Sequence, residues 1–539
     1  MKLSIKELNK KTAWDKAGIT LPVYDVAALH KQTQENPRWV HFGIGNIFRI
    51  FLGGIAEQLI AQGLTDTGII CAETFDYDIV DRIYAPCDNL ALAVTLYEDG
   101  SMEKQVLGSL AECIRSDSTE PSCWARLKAI FQHPGLQMVS FTITEKGYAL
   151  RGTDGDYLPF VKKDMENGPA APTGAMAVVA AMLLERFRSG AAPLTLVSMD
   201  NCSHNGSLLR TSVLTMVSEW HKRGFVGADF LSYVQDEEKI AFPWTMIDKI
   251  TPRPADFVAE RLKADGVEGM DILVTSKSTY IAPFVNAEAP GYLVVEDHFP
   301  NGRPPLEKAG VYMTDRKIVD KSERMKVTAC LNPIHTALAP YGMLLGYEYF
   351  ADLMSDPELK ILAHRIGYGE GLPRVDDPGI FSPEKFLDEV IQKRMPNKYL
   401  GDSTARICTD SSQGVSVRFG ETIRSYVREF GTAEMLEAIP LALAGWLRYF
   451  YATDDEGHPF PLSPDPLAEE LHAIVTEVPI GSPHLVTDQV RRVLSNAEIF
   501  GSDLYAAGVG QKAEAIFREE IAGPGAVRAT LKKYLKKGM

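Results

Sequence analysis

Ten residues, Lys326 to His335, bring an amine, a carboxamide and an imidazole into close succession: Lys-Val-Thr-Ala-Cys-Leu-Asn-Pro-Ile-His. A lysine whose charge is disfavoured by burial or by a neighbour can act as a general acid or base. An asparagine amide can donate hydrogen bonds to an oxygen on which negative charge develops. Asn332 and His335 are three residues apart, so a helix would set them on one face. These groups together suit proton transfer at an alcohol or a ketone. The competing reading is an amphipathic helix with a surface lysine and a structurally satisfied histidine, and short patterns of this kind often arise by chance.

Two further clusters stand where strands end. The β-rich run Gln137 to Ile143 leads into Thr144-Glu145-Lys146-Gly147-Tyr148. The apolar run Leu194 to Met199 leads into Asp200-Asn201-Cys202-Ser203-His204-Asn205-Gly206. Open α/β sheets bind ligands where parallel strands end. Capping of a helix by Asp200 or Asn201 is the alternative.

The elements that must carry these clusters begin with a short strand, Arg38 to Phe42. Gly43-Ile44-Gly45-Asn46-Ile47-Phe48-Arg49 follows, then a helical pattern to about Gln62 with Gly63 as C-cap. Strand, Gly-x-Gly turn and helix open a dinucleotide fold, with backbone N–H groups facing a pyrophosphate. Phe48 stands where the usual third glycine would be, and a plain tight turn is the competing reading. The next strand, Thr67 to Ala72, ends at Glu73. An acidic side chain there can bond the ribose hydroxyls of NAD and repel the extra phosphate of NADP. Asp76 and Asp78 compete for that role.

Residues 1–36 are polar and predict a surface wrapping. Residues 90–110 alternate as strands, and 120–132, 175–188, 207–222 and 227–235 read as helices. Asp297 to Pro305 is rich in Pro and Gly and predicts a linker. From about residue 316 the pattern is almost entirely helical, with amphipathic stretches near 384–394, 418–450, 466–477 and 484–496. The chain therefore reads as an α/β cofactor domain over 1–315 and a mostly α-helical domain over 316–539. The extra length around 85–135 and 450–485 predicts surface insertions.

Bulk properties narrow the function classes. The 539 residues are 45% hydrophobic and 24% charged, with a formal net charge of -15 from 71 acidic and 56 basic residues. Apart from a short tail with Lys532, Lys533, Lys536 and Lys537, no basic block is present, which argues against nucleic acid as a partner. The seven cysteines form no Cys-x-x-Cys pair, which fits reduced thiols in a cytoplasm. The N-terminus lacks an apolar signal core and no run reads as a membrane span. No His, Cys and Asp set has metal-ligand spacing, so no metal is expected.

Six blocks taken together resemble one family, the long-chain, zinc-independent polyol dehydrogenases of the mannitol dehydrogenase family. They are His41-Phe42-Gly43-Ile44-Gly45, Thr144-Glu145-Lys146-Gly147-Tyr148, Asp200-Asn201 with Asn205-Gly206, Phe242-Pro243 with Met246-Ile247-Asp248, Phe299 with Gly302-Arg303-Pro304, and Lys326 with Asn332 and His335. They occur in the family's order. The resemblance implies a Rossmann-like NAD-binding domain, a helical substrate-binding domain and a site in the cleft between them. It implies hydride exchange between NAD(H) and a secondary alcohol or ketone of an open-chain sugar derivative. Lys326 would be the general acid/base, Asn201 and Asn332 would polarise the carbonyl, His335 would orient the substrate and Asp248 would support the lysine. Gly43, Gly45, Asn46, Phe48, Arg49, Glu73, Thr144 and Glu145 are the expected cofactor contacts. Lys146, Asn205, Arg406 and Arg418 are the expected substrate contacts. The substrate pair expected first is fructuronate and mannonate, whose carboxylate calls for basic partners. Neutral polyols such as mannitol or arabinitol are the alternative, and a non-catalytic NAD- or sugar-sensing protein is a third reading. Monomer and dimer stay open.

Two departures accompany the resemblance. The family has four residues between lysine and asparagine, and this chain has five. On a regular helix the extra residue rotates Lys326 by about 100° relative to Asn332. A π-bulge could absorb it, or Asn332 could cap a new helix with Pro333 at its first position. The family also places a substrate-binding lysine eight residues after the arginine matching Arg406, where this chain has Gly414. Arg418 is the candidate substitute.

Overall fold

The computed structural model describes residues 1–152 and 154–536. The Cα framework divides into two units, Met1–Asp320 and Lys321–Met539.

The first unit is built on a six-stranded parallel sheet. Its strands are β1 (Trp39–Phe42), β2 (Ile69–Glu73), β3 (Leu110–Arg115), β4 (Met138–Phe141), β5 (Leu194–Ser198) and β6 (Ile240–Ala241), paired in the order β3-β2-β1-β4-β5-β6. All pairings are parallel. The order turns back between β1 and β4, and such a switch point opens a ligand crevice beyond the strand ends. Every residue of β1, β2, β4 and β5 is buried, which is why these strands read as apolar runs. Side chains alternate between two cores. Val40, Phe42, Ile70 and Ala72 face one side, where helices α2 (Pro121–Gln132), α3 (Ala175–Arg188) and α4 (Asn205–Lys222) pack. Trp39, Ile69 and Cys71 face the other, with helix α1 (Gly53–Ala61). Gly63 ends that helix in the left-handed region at φ +69°.

Four sequence expectations need correction here. Residues 1–36 do not simply wrap the surface. Ile19–Thr20 pairs with Lys104 and Gln105 in a second, four-stranded sheet, and the helix Val26–Glu35 buries Val26, Leu29 and Thr33. Its apolar residues are few but spaced for docking. Residues 85–135 are not an insertion, since they supply a hairpin of that second sheet, edge strand β3 and α2. The Asp297–Pro305 stretch is bound into the first unit: Asn301 donates to the Leu136 carbonyl at 2.6 Å and Arg303 pairs with Asp297 at 2.7 Å. Finally, the segment Pro159–Arg188 contains an 18-residue stretch with the length and hydropathy of a membrane span, but 61% of that stretch is buried and the segment is interrupted at Gly168–Ala170. It ends in α3, which lies among α2 and α4 in the core.

A smaller three-stranded sheet carries strand β7 (Thr245–Asp248), antiparallel to Tyr292–Glu296.

Among the described residues the second unit has helices and only isolated β-bridges. Helix α5 (Asn332–Leu344), helix α6 (Ser411–Arg418) and helix α7 (Ala438–Tyr449) frame its centre. The expected amphipathic stretch 418–450 is two helices parted at Gly431, where φ is +78°. Every residue of α7 is buried. Its N-terminal N–H groups are met by the Glu370 carboxylate, at 2.7 Å from Ala438 and 2.8 Å from Ile439. Residues 450–485 are likewise more than an insertion, because Asp465 accepts from Ser412 N at 2.8 Å and from the Ser411 and Ser412 hydroxyls, fixing the start of α6. Lys532, Lys533 and Lys536 lie on the last helix, Ala526–Lys536; Lys537 lies outside the described residues.

Candidate active site

The turn after β1 is shaped by two glycines with different tasks. Gly43 has φ +89°, and a Cβ there would lie 2.1 Å from the Thr142 carbonyl oxygen. Only glycine fits that close approach of the β1 and β4 ends. His41 braces the same point, bonded to Ser140 Oγ at 2.6 Å and Thr142 Oγ1 at 2.8 Å. Burial pushes its imidazole down to about 3, so it is neutral. At Gly45, by contrast, a Cβ would meet nothing within 4 Å. The backbone there faces open space at the start of a helix that begins at Asn46. A pyrophosphate needs such a surface of N–H groups, so the turn fits the dinucleotide expected from sequence.

Glu73, at the end of β2, fastens this turn. One carboxylate oxygen accepts from Thr74, Phe75 and Asp76 N–H groups, the nearest at 2.8 Å, and the other from Ile44 N at 3.4 Å. Burial raises its carboxyl above the usual range, and these N–H groups oppose that rise. The rival Asp76 and Asp78 are bonded to Thr275 and Ser276. Sequence reasoning missed Phe75, which is 66% exposed beside Glu73 with the Lys277 ammonium 5.2 Å from its ring centroid. Its only sequence signal is an aromatic residue just past the acidic strand end.

Two expected cofactor contacts are corrected. Phe48 is fully buried and stacks on His41 at 4.0 Å, so its ring faces the core. Arg49 is buried, with its guanidinium bonded to the Ala282 carbonyl and to Asn46 Oδ1, each at 2.7 Å. Both lie in a π-helical turn, Phe48–Leu52, whose residues Phe48, Arg49, Ile50 and Leu52 are buried.

At the ends of β4 and β5 the two polar clusters come together. Asp200 accepts from Ile143 N and Thr144 N at 2.9 Å and from the Tyr148 hydroxyl at 2.6 Å. This holds Thr144 at φ +62° and leaves Thr144, Glu145 and Lys146 exposed. Asn201 is also exposed, while Asp248 is buried at the end of β7. Asn205, expected to touch substrate, is corrected. It is fully buried, donates to the Asp200 carbonyl at 3.0 Å and Thr245 Oγ1 at 2.8 Å, and accepts from Thr245 N at 3.0 Å. Its amide joins the β5 end to β7. Gly206 beside it allows the Pro243 carbonyl to lie where a Cβ would be only 2.5 Å away.

In the second unit a π turn absorbs the extra residue, and a new helix follows in which Leu331, not the expected Asn332, stands at the cap. Lys326–Cys330 is a π-helical turn, closed by Leu331 N donating to the Lys326 carbonyl at 3.1 Å. Leu331 then leaves helical geometry at φ -130°, and α5 starts afresh at Asn332 with Pro333 near its N-terminus. Lys326 is 1% exposed. His335, one turn into α5, packs edge-on against Phe350 at 4.9 Å. Burial lowers its imidazole to about 4; Asp402 opposes this, and Arg394, Arg406 and Arg418 add to it. Neutral at pH 7, the ring can donate and accept hydrogen bonds to a substrate hydroxyl. Arg406 is 63% exposed and paired with Asp402, which also lies 3.8 Å from His335 Nε2. Arg418 donates to Thr336 Oγ1 at 2.8 Å. Arg394 and Asp402 were not found from sequence, because only folding brings them to His335.

Among the described residues no group of three or more His, Cys, Asp or Glu side chains could hold a metal ion.

Comparisons with known proteins agree over both units. Residues 37–308 match the mannitol dehydrogenase Rossmann domain and 318–516 the mannitol dehydrogenase C-terminal domain. A D-mannonate oxidoreductase of Thermotoga maritima is 48% identical over 538 residues, covering 99% of each chain. Among solved structures, a D-sorbitol dehydrogenase in substrate-free form has TM-score 0.78 at 26% identity, covering 95% of this chain and 97% of that one. The Pseudomonas fluorescens mannitol 2-dehydrogenase, solved with NAD and D-mannitol, has TM-score 0.72 at 25% identity over 100% of both chains.

Proposed function

Because the chain belongs to the mannitol dehydrogenase family, we propose that it is an NAD-dependent D-mannonate oxidoreductase interconverting D-mannonate and D-fructuronate. The observation that carries this reading is the 48% identity, end to end, with a D-mannonate oxidoreductase. We assign NAD binding to residues 1–315 and substrate binding and catalysis to 316–539.

When bound, the nicotinamide supplies the hydride acceptor or donor for the carbinol or carbonyl carbon. The chain supplies the proton and the charge. Lys326 takes the hydroxyl proton in oxidation and returns it in reduction. Asn201 and Asn332 donate hydrogen bonds to the reacting oxygen. His335, neutral, orients a neighbouring hydroxyl. Gly43, Gly45 and Asn46 shape the pyrophosphate turn, Thr144 and Glu145 line the cofactor crevice, and Glu73 at the β2 end supports NAD over NADP. Lys146, Arg406 and Arg418 are the cations available to the substrate carboxylate. The seven free cysteines support a reducing compartment such as the cytoplasm.

The test is a substrate panel followed by NADH absorbance, with D-fructuronate, D-fructose, D-mannonate, mannitol and arabinitol. Reduction of fructuronate and oxidation of mannonate are expected. The solved mannitol and sorbitol dehydrogenases favour a second reading, a neutral polyol substrate. Turnover of mannitol or arabinitol with none of mannonate would establish it in place of the first. Preference for NADPH in kcat/KM would overturn the cofactor assignment.

A further inference from the structure

Helix α6 carries a glycine in its interior, at position 414, and a helical glycine costs about 1 kcal/mol relative to alanine. The backbone there does not need it, since Gly414 is not among the residues of positive φ. What occupies the space is the Arg418 guanidinium, one turn on. A Cβ at position 414 would stand 2.7 Å from both Arg418 Cζ and Nε. The missing side chain is thus the berth of a guanidinium.

That guanidinium differs from its neighbours in its partners. Arg406 is neutralised by Asp402. Arg418 makes one hydrogen bond among the described residues, to the neutral Thr336 hydroxyl at 2.8 Å, and no ion pair. It is partly buried and held by Thr336, the residue that follows His335 on α5, and the His335 ring lies in the field of both Arg418 and Arg394. A partly buried cation without a carboxylate is poised for an incoming one, and the planar fork of arginine suits two-point binding of a carboxylate. The helix start is anchored by Asp465, so the berth is held in place from residues 450–485.

Resting on the mannonate reading above, we propose that Gly414 and Arg418 form the carboxylate subsite, with Arg418 the residue that selects sugar acids over neutral polyols.

The test compares kcat/KM for D-fructuronate with that for D-fructose, which has a hydroxymethyl group in place of the carboxylate. Arg418→Met should lower the fructuronate-to-fructose ratio by about a hundredfold, mostly through KM for fructuronate, as for loss of a charge-assisted hydrogen bond. Arg418→Lys should recover part of it. Gly414→Ala keeps every charge and has the better helix propensity, yet its methyl group must displace the guanidinium; the ratio should fall by about tenfold. If the wild type prefers fructuronate while both Arg418→Met and Gly414→Ala keep its ratio, or Arg418→Met lowers both substrates equally, the subsite is wrong and the mannonate reading stands. If the wild type turns over fructose and no fructuronate, the mannonate reading itself has failed.

Discussion

The Tyr148 hydroxyl donates to Asp200 at 2.6 Å and so closes the end of β4 onto the end of β5. The bond sits beneath exposed Thr144, Glu145 and Lys146 and beside exposed Asn201, and Tyr148 itself is fully buried. Tyr148→Phe leaves the partly buried Asp200 with only two backbone donors. A loss of about 1–2 kcal/mol in stability is expected from one charge-assisted hydrogen bond, read as a lower urea midpoint at unchanged slope. An unchanged midpoint would mean the clamp is redundant.

Lys326→Ala should lower turnover by about 10²–10⁴-fold, the range of general acid/base catalysis, and leave NADH affinity nearly intact. Stopped-flow turnover with D-fructuronate and a fluorescence titration with NADH separate the two quantities. Near-normal turnover would remove Lys326 from the chemistry.

Gly43→Ala places a methyl group against the Thr142 carbonyl and forces φ +89° on an L-residue. Neither strand end can yield without opening the sheet, so the cost should exceed about 3 kcal/mol. The expected result is a protein that binds NADH weakly or accumulates unfolded. Gly45→Ala, where a Cβ meets nothing within 4 Å, should keep its stability while losing NADH affinity. Equal stability loss in both variants would refute the division of tasks between the two glycines.

Glu520 gives a pH dependence of known sign. Its carboxyl, fully buried, is pushed up from 4.5 to about 8, chiefly by burial, while the Tyr341 hydroxyl at 2.6 Å opposes the rise. A raised folded-state value means that the folded protein holds the proton more tightly. Its contribution is fully present below about pH 4.5 and is lost as pH rises towards 8. The loss should be on the order of 5 kcal/mol. Glu520→Gln keeps an acceptor for Tyr341 and cannot titrate, so its stability should stay level across that window. Parallel curves for the two proteins would show that Glu520 is not the titrating group.

Much of the fold was legible because parallel strands buried on both faces leave unbroken apolar runs, and because Gly43 answers to a local demand for positive φ. Lys326 to Asn332 was legible in part: the odd spacing offered a π turn or a new helix capped by Asn332, and the π turn is present, while the new helix is capped by Leu331 and has Asn332 as its first residue. Arg49 was not legible. Besides Asn46 Oδ1, its partners are the carbonyls of Ala282 and Phe284, more than two hundred residues away, and the sequence around it does not say that it faces inward. Asn205 misled for a related reason, since an amide at a strand end looks the same whether it meets a ligand or the neighbouring strand. Asp297–Pro305 misled through composition, because Pro and Gly mark an irregular backbone but not whether it is anchored, here to Leu136.

The break at Leu331 has a bearing on how such chains change length. An insertion within a continuous helix turns every later residue by about 100°, so most are lost to selection. Here the helix Arg316–Met325 runs into a five-residue π turn and stops, and α5 takes its register from its own first residues, Asn332 and Pro333. Residues can be gained or lost ahead of Leu331 while His335 keeps its place relative to Asn332. The stretch works as an expansion joint, and a search pattern with a fixed gap before the asparagine would pass over this chain.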